Sequence, residues 1–454
     1  MKYKTINKYI KAMNRRKFFG VAAAAGTGMA IAPSMTMGMS APSVLNVDDR
    51  PALLGGPRAQ PDRFPQWPIH DETEQQSLSD VLRSNSWGRL NGRITSQFEE
   101  EYAKLTGVNH CLATASGTTA LYTMLGALDV GPGDEVILPT FTFIATHNVV
   151  TLNYALPILV DTDIDHFQID IKKMEEAITP QTKVLMPVYM GGSPADIDGI
   201  MDVAQRHNLP VIEDACQAPG SEWRGKKVGS FGIGGAFSFQ SSKNLNSAEG
   251  GAITTNDENF YRRCFHFHHQ GENPAMGTRA TNARLTEFQS SILLAQMRRF
   301  EEQSRIRSEN ATYLTSLLND IPGIIPAKLY EGVTGVTYHF YMFRYDKSHF
   351  ADLPRARFMQ AMGAEGVRAW SGYGDLNKDP YVLALAQNKH YLKLYGERTM
   401  QEWLERIQCP QNDKLFDEQI WFTQAMLLGT KTDMDRIAEA IRKIQKYARE
   451  LKQV

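Results

Sequence analysis

Short apolar segments alternate with longer amphipathic ones over residues 110–239, and this alternation restricts the fold more than any other feature. The apolar segments predict strands at His110–Ala115, Glu135–Pro139, Pro157–Val160, Val184–Val188, Val211–Asp214 and Gly235–Phe239. Helical segments lie between them, at Thr119–Leu128, Phe143–Leu152, Ile171–Ala177 and Ile197–His207. The strands do not alternate between apolar and polar residues, which is typical of a mostly parallel sheet covered by helices on both faces. The sequence therefore predicts an α/β fold.

The segments on either side of this region extend the prediction. Two helices precede it, at Glu72–Ser84 and at Thr95–Thr106, where Gly107 ends the second helix. A long charged helix follows it at Glu287–Leu318. Beyond that helix, a strand near Val336–Tyr345 and further helical segments predict a smaller α+β region.

The beginning of the chain has a different composition from the rest. Basic residues end in Arg15-Arg16-Lys17, and the stretch Phe18–Ala32 is apolar and rich in small residues. This pattern resembles a twin-arginine signal, which would export the folded protein to the periplasm through the twin-arginine translocation machinery. The alternatives are a basic leader that does not function in export, which would leave the protein cytoplasmic, or an anchor that is never cleaved.

These observations divide the chain into four parts. We predict an export signal at residues 1–43, a Pro/Gly-rich linker at 44–71, a large α/β domain at 72–299 and a small C-terminal domain at 300–454.

Composition excludes several classes of function. The chain carries 49 Lys and Arg against 50 Asp and Glu, so its net charge of -1 gives no general attraction to nucleic acid, and we predict no such partner. Its four cysteines form no CxxC pair, which argues against a zinc ribbon and leaves disulfides open. His266, His268 and His269 lack acid or cysteine partners at ligand spacing, so we predict no metal site.

Three predicted strand ends carry groups that could bind a ligand or take part in catalysis. Ser116-Gly117-Thr118 follows the first strand and opens a helix, where free backbone N–H groups bind anions, although an ordinary helix cap is the simpler explanation. Asp214 ends an apolar strand at the edge where open α/β sheets bind ligands, but it could equally cap a turn. Lys243 follows another strand, and desolvation would make its amine nucleophilic enough to form a Schiff base, whereas a solvated lysine is inert.

The combination of these three strand ends is more informative than each one. Pyridoxal 5'-phosphate requires an anion pocket, an acid facing its ring nitrogen and an amine for its aldehyde. The three turns supply these groups in that order. The residues therefore predict a site for this cofactor.

Several longer motifs resemble the DegT/DnrJ/EryC1/StrS family of sugar aminotransferases, which are fold-type I pyridoxal-phosphate enzymes. The similar segments run from Trp87 to about Lys443 and include ASGTTAL, GPGDEVILPTFTFIATHN, PVYMGGSPADIDGI, IEDACQAPGSEWRGKKVGSFG, AFSFQSSKNLNSAEGGAITTND and NARLTEFQ. The resemblance implies a fold-type I transferase with a mostly parallel sheet and a smaller C-terminal α+β domain.

The resemblance also implies roles for individual residues. Lys243 would form the Schiff base, Asp214 would pair with the pyridine nitrogen, and Gln217 would lie near the 3-oxygen of the ring. The other cofactor-binding positions are Phe143, stacked on the ring; Gly117, Thr118 and Ser238, at the phosphate; and Asn282, which reaches the phosphate from the second subunit of a homodimer. Ala280 departs from the glycine that the family usually has two residues before that asparagine.

The implied activity is transfer of an amino group from glutamate or glutamine to a keto-sugar or related polyol ketone, with ping-pong kinetics. Two alternatives keep the cofactor: a dehydratase acting on a sugar carbon, and a sensory protein that binds the cofactor without turnover. Family members that dehydrate usually have histidine in place of the lysine, so Lys243 counts against the first alternative. The tract Trp370–Gly374, followed by DLNKDPYV, departs from the usual substrate-side sequence of the family and leaves the acceptor open.

Overall fold

The computed structural model of the protein describes residues 49–271 and 273–454. The predicted export signal at residues 1–43 therefore lies outside the described residues. In the first part of the chain the strands are β1 (His110–Thr114), β2 (Glu135–Pro139), β3 (Leu156–Val160), β4 (Thr162–Asp163), β5 (Gln168–Ile169), β6 (Thr182–Leu185), β7 (Ile212–Asp214), β8 (Glu222–Trp223), β9 (Lys226–Lys227), β10 (Gly234–Ser238) and β11 (Gly251–Thr255).

The central sheet has seven strands in the order β3, β2, β6, β7, β10, β11, β1. Strand β2 pairs in parallel with β3 and β6, and β7 pairs in parallel with β10. Parallel bridges from Leu185 to Val211 and from Val188 to Asp214 join the two groups. Only β11 runs against its neighbours β10 and β1. The predicted, mostly parallel sheet is confirmed, and the carboxyl ends of its parallel strands meet at one edge.

Helices cover both faces of this sheet. They are α1 (Glu72–Ser84), α2 (Ile94–Thr106), α3 (Gly117–Ala127), α4 (Ile144–Leu152), α5 (Ile171–Glu176), α6 (Ile197–His207) and α7 (Glu258–His268). Local signals fix several ends: Asp71 and Glu74 form a capping box at the start of α1, and Gly107 ends α2 with a φ of 72°. In the described part of the chain, none of the helices has both the length and the apolar character that a membrane span requires.

The C-terminal part is built on a second, smaller sheet. Its helices are α8 (Glu287–Asn319), α9 (Arg355–Ala364), α10 (Pro380–Leu383), α11 (Lys389–Arg406), α12 (Pro410–Glu418), α13 (Lys431–Lys446) and α14 (Ala448–Leu451). Its strands are β12 (Ile324–Pro326), β13 (Val333–Gly335), β14 (Phe340–Tyr345) and β15 (Gln419–Thr423), of which β14 lies between β12 and β15 in an antiparallel sheet. Strand β13 instead pairs with β8.

Helix α8 contributes to two separate hydrophobic clusters. Its first half places Leu293 and Phe300 in the cluster around the large sheet. Its second half places Leu314 and Leu318 in the cluster around the small sheet. A domain boundary near residue 300 would fall within this continuous helix, so the exact division of the chain stays a prediction.

The described part of the predicted linker packs against the C-terminal part. Ala52–Leu54 form a 3-10 helix, although the prolines around it predict no regular element. The buried Glu365 carboxylate accepts hydrogen bonds from the backbone N–H groups of Ala52 (2.7 Å) and Ala59 (2.8 Å). The same carboxylate pairs with Lys443 at 2.9 Å, and Lys443 also donates to the carbonyl of Pro57. This stretch is therefore held by buried polar contacts.

Candidate active site

The predicted strand-end residues lie together at the carboxyl edge of the large sheet. Asp214 ends β7 and faces Ala236 of β10, two residues before Ser238. Gly117 begins α3 after β1, and Phe143 precedes α4 after β2. Because all of these strands point the same way, their following turns converge on one crevice.

Lys243 presents an amine without an ionic partner. It lies in the turn after β10, where its backbone N–H donates to the Gln240 carbonyl at 2.8 Å. Its Nζ lies 3.4 Å from Nε2 of His339, and within residues 49–271 and 273–454 no carboxylate forms an ion pair with it. Burial lowers the pKa of Lys243, against the opposing electrostatic effects of Cys216 and Asp214. The amine is therefore closer to its neutral, nucleophilic form than a surface lysine.

Asp214 supplies a buried acid near this amine. Its Oδ2 accepts a hydrogen bond from Thr146 Oγ1 at 2.9 Å, and its Oδ1 accepts one from the N–H of Cys216 at 3.2 Å. Burial raises the pKa of Asp214, while these hydrogen bonds and the positive charge of Lys243 lower it. The charge of Lys243 therefore lowers the pKa of Asp214, and the charge of Asp214 raises the pKa of Lys243, as expected of two groups that bind the same ligand.

A close-packed turn forms the start of helix α3. Ser116 caps the helix through the N–H of Thr119, which leaves the preceding N–H groups of the first turn without intrahelical partners. A Cβ atom added to Gly117 would lie 2.7 Å from Cys216 Sγ and 2.8 Å from Ser238 Cβ, so only glycine fits there. This packing brings Gly117 beside the Ser238 side chain at a helix start, and the free N–H groups of a helix start suit an anion.

Phe143 and Gln217 line the same crevice. The Phe143 side chain is 51% exposed, so one face of its ring is available to a ligand. The Gln217 Oε1 accepts a hydrogen bond from the N–H of Gly191 at 2.9 Å, and its Nε2 donates to the Tyr373 hydroxyl at 3.3 Å. The Tyr373 ring lies 5.5 Å from that of Phe143. Tyr373 therefore forms a wall of the crevice from the C-terminal part.

Asn282 lies in a segment that runs beside the end of β1, since the N–H of Ala115 donates a hydrogen bond to the carbonyl of Ala283 at 2.8 Å. It is exposed, and its Oδ1 accepts a hydrogen bond from the N–H of Arg284 at 3.3 Å. Its backbone forms a bridge with His269, beyond the end of α7. Within a single chain the described contacts do not bring Asn282 to Lys243 or Asp214.

The sequence does not predict a role at this site for four residues: Thr146, Asn244, His339 and Tyr373. Thr146 had an available signal, because it lies one helical turn after Phe143 in the same motif. The Asn244 side chain donates to the carbonyl of Thr337 at 2.6 Å, a contact between parts of the chain 93 residues apart. No local pattern predicts that kind of contact.

The crevice has the groups that pyridoxal 5'-phosphate needs. Asp214 is a buried carboxylate without an ion pair among the described residues, and a pyridinium nitrogen would supply the missing cation. The Gly117 turn leaves no space for a side chain but offers N–H donors for a phosphate. Lys243 provides the amine. The residues therefore fit the cofactor.

The four cysteines and the histidines add no second site. Cys111, Cys216, Cys264 and Cys409 are all free, so no disulfide bond joins the described residues. Among the described residues there is no group of three or more His, Cys, Asp or Glu side chains arranged to hold a metal ion.

The fold and this crevice define a fold-type I pyridoxal-phosphate enzyme. The chain belongs to the DegT/DnrJ/EryC1/StrS aminotransferase family, whose model matches residues 68–442. It is a pyridoxal-phosphate-dependent aminotransferase. The family, the fold class and the cofactor predicted from the sequence are thereby confirmed.

The chain is similar to several named relatives over almost the full length of each relative. The chain is 34% identical over 421 residues to L-glutamine:2-deoxy-scyllo-inosose aminotransferase of Streptoalloteichus tenebrarius, covering 88% of this chain and 99% of the relative. It is 31% identical over 386 residues to 3-amino-5-hydroxybenzoate synthase of Amycolatopsis mediterranei, covering 83% and 96%. The crystal structure of a 3-amino-5-hydroxybenzoic acid synthase superimposes with a TM-score of 0.73 at 30% identity, covering 84% of this chain and 98% of that one.

Proposed function

We propose that the enzyme moves an amino group from glutamine or glutamate to the ketone of a polyhydroxylated ring, a keto-cyclitol or keto-sugar. The single observation that carries the transferase chemistry is the Lys243 amine, which lies 3.4 Å from His339 Nε2 and forms no ion pair among the described residues, while burial lowers its pKa. The similarity to an aminotransferase named for L-glutamine and 2-deoxy-scyllo-inosose supports the donor and the acceptor class.

We assign the site residues by their positions in the crevice. Lys243 would bind the cofactor aldehyde, Asp214 would face the ring nitrogen, and Gln217 would lie beside the 3-oxygen. Phe143 would stack on the cofactor ring, as the 51% exposure of this residue allows. The phosphate is bound by Gly117, Thr118 and Ser238, and by Asn282 of the partner subunit.

The chain contributes binding and proton transfer to the reaction. When bound, the cofactor supplies an electron sink that stabilises negative charge at the carbon bearing the amine. Asp214 would hold a proton at the ring nitrogen, because among the described residues its buried carboxylate forms no ion pair. Lys243 would take up at Nζ the proton that leaves the substrate carbon, and would release it again within the crevice. Burial suits Lys243 to this exchange, since it lowers the pKa of the amine.

The donor and the acceptor use the same crevice in turn, so the kinetics should be ping-pong. Holoenzyme is mixed with L-glutamine or L-glutamate in the absence of acceptor, and conversion of the cofactor to its amine form is followed by absorbance. Keto-inositols and free keto-sugars are then tested for restoring the original spectrum. Conversion by a donor followed by reversal with a ring ketone supports the proposal. A holoenzyme that no amino donor converts would instead match a protein that binds the cofactor without turnover.

We also propose that the enzyme is a homodimer with shared active sites. The Asn282 side chain is exposed and therefore accessible to a second subunit, and the family resemblance assigns an asparagine at this position to the phosphate of the neighbouring site. Lys243→Ala and Asn282→Ala subunits, each inactive alone, are mixed under conditions of subunit exchange. After exchange at equal amounts, about half of the dimers are hybrids with one functional site of two, so the mixture should recover about a quarter of the wild-type activity. No recovery, despite demonstrated exchange, would reject the shared site.

The proposed export rests on the sequence pattern before residue 44. Cell fractions are compared for the natural chain and for a variant with Arg15→Lys and Arg16→Lys. A periplasmic natural chain and a cytoplasmic variant are expected. Equal distribution of the two proteins would assign the enzyme to the compartment in which both are found and would reject the twin-arginine route.

A further inference from the structure

His339 is the hydrogen-bonding partner that the structure gives to the Lys243 amine. Its Nε2 lies 3.4 Å from Lys243 Nζ, although 96 residues separate the two in the sequence. We propose that His339 is a positioning residue, which orients the lysine amine for proton transfer to and from the substrate carbon. This inference rests on the proposed function, because it concerns the same lysine.

The segment Thr337–His339, in the C-terminal part of the chain, contacts the turn that contains Lys243. The N–H of His339 donates to the Gly191 carbonyl at 2.7 Å, and its ring packs against Phe340 at 4.0 Å between centroids. The ring is 2% exposed. Asn244, next to the lysine, donates to the carbonyl of Thr337 at 2.6 Å. Lys243 and its neighbour are therefore fixed to the same rigid segment.

The proposed role follows from the geometry of an amine. A neutral amine has two N–H groups and one lone pair, and rotation about the last side-chain bond decides where the lone pair points. If one N–H of Lys243 donates to His339 Nε2, the lone pair is held in a direction away from the histidine, toward the crevice. The amine can then take a proton without first reorienting.

The surrounding charges keep His339 neutral, and Nε2 accepts from the Lys243 amine in the tautomer that carries its proton on Nδ1. Lys243 faces it from the turn after β10, and the positive charge of Arg307 reaches it from α8. Burial, together with these two cations, holds the pKa of His339 well below its usual value. The imidazole therefore stays neutral and does not itself carry the transferred proton. Asp214 and Cys216 face the lysine from the turn after β7 and oppose the effect of burial on its pKa.

Two substitutions separate orientation from simple packing. His339→Gln places an amide oxygen near the position of Nε2, whereas His339→Leu fills the space without an acceptor. The first measurement uses cofactor-free protein: competitive acetylation across a pH series, with peptide mass spectrometry, gives the pKa of the Lys243 amine. A neutral acceptor stabilises the ammonium form, so we expect a pKa about one unit lower in the leucine variant, a tenfold change in proton affinity, and little change in the glutamine variant.

The second measurement uses holoenzyme and L-glutamine in single turnovers. We expect His339→Leu to slow cofactor conversion at least tenfold at saturating donor, with little change in the donor concentration for half-maximal rate, and His339→Gln to restore most of the rate. An unchanged lysine pKa and an unchanged rate in the leucine variant would overturn the inference. Should that variant not fold, His339→Asn, whose acceptor is too short to reach Nζ, replaces it. Failure of the wild-type holoenzyme to react with any donor would refute the proposed function instead.

Discussion

Replacement of Asp214 by asparagine tests the electrostatic centre of the site with little change in shape. The carboxylate is only 4% exposed and has two hydrogen-bond donors, Thr146 and the N–H of Cys216. The asparagine oxygen can still accept from Cys216. The Thr146 hydroxyl, which also lies 2.9 Å from the Thr142 hydroxyl, can rotate to accept from the new amide. The fold should therefore persist while the negative charge is lost.

The expected magnitude follows from the burial of this charge. Removing one partner from a buried, hydrogen-bonded ion pair costs about 3–5 kcal/mol. If that loss falls on the protonated ring nitrogen, on which the electron sink depends, the donor half-reaction slows by roughly 150-fold to 5,000-fold. The assay is single-turnover conversion of holoenzyme by L-glutamine, at saturating pyridoxal phosphate so that weaker cofactor binding does not mimic the effect.

Asp196→Asn is the matched control. Asp196 caps α6 through the N–H of Gly199, and asparagine caps a helix as well as aspartate does. The control should keep the wild-type rate. A rate within about threefold of wild type in Asp214→Asn, with the cofactor bound, would refute the assignment of this acid to the ring nitrogen.

Three further predictions concern other parts of the molecule. In Lys243→Ala, borohydride treatment should leave no cofactor covalently attached, whereas wild-type protein should carry it on the peptide containing residue 243; equal labelling by mass spectrometry would contradict the assignment. Glu365→Gln should lower the free energy of unfolding by about 2–4 kcal/mol, since Lys443 loses its buried partner, and adding Lys443→Met should recover part of the loss in urea titrations. Burial raises the pKa of Asp163, but hydrogen bonds from His166 and Tyr330 outweigh it and set the pKa at about 2. The stabilisation by Asp163 is therefore present at neutral pH and lost as the pH falls from about 4 toward 2, so the difference in stability between wild type and Asp163→Asn should disappear in that window.

Much of the large sheet can be predicted because its signals are local. Strand β2 and helices α1 and α6 have the predicted bounds, since apolar runs and capping residues define such elements within a few residues. Strand β11 is not predicted. Its sequence, Gly251–Thr255, begins with glycine and is short, and its place between β1 and β10 depends on pairing with residues far away in the chain.

The site shows the same division between local and distant information. The positions of Asp214 and Lys243 are predictable, because Asp214 ends a strand, Lys243 lies in the turn after another, and the ends of parallel strands must meet, whereas Ser238 is assigned through the family resemblance. His339 and Tyr373 reach the crevice from the C-terminal part, where no spacing relates them to the lysine. Their contribution depends on how the second cluster packs against the first, which a local pattern does not encode.

Helix α8 has a consequence for engineering relatives of this enzyme. At 1.5 Å per residue its 33 residues extend about 50 Å, and its side chains belong to both hydrophobic clusters. A chimera that exchanges the C-terminal part at residue 300 would join two unrelated half-helices and mismatch both cores. Recombination at residue 286 or after residue 320 keeps the whole helix with a single parent.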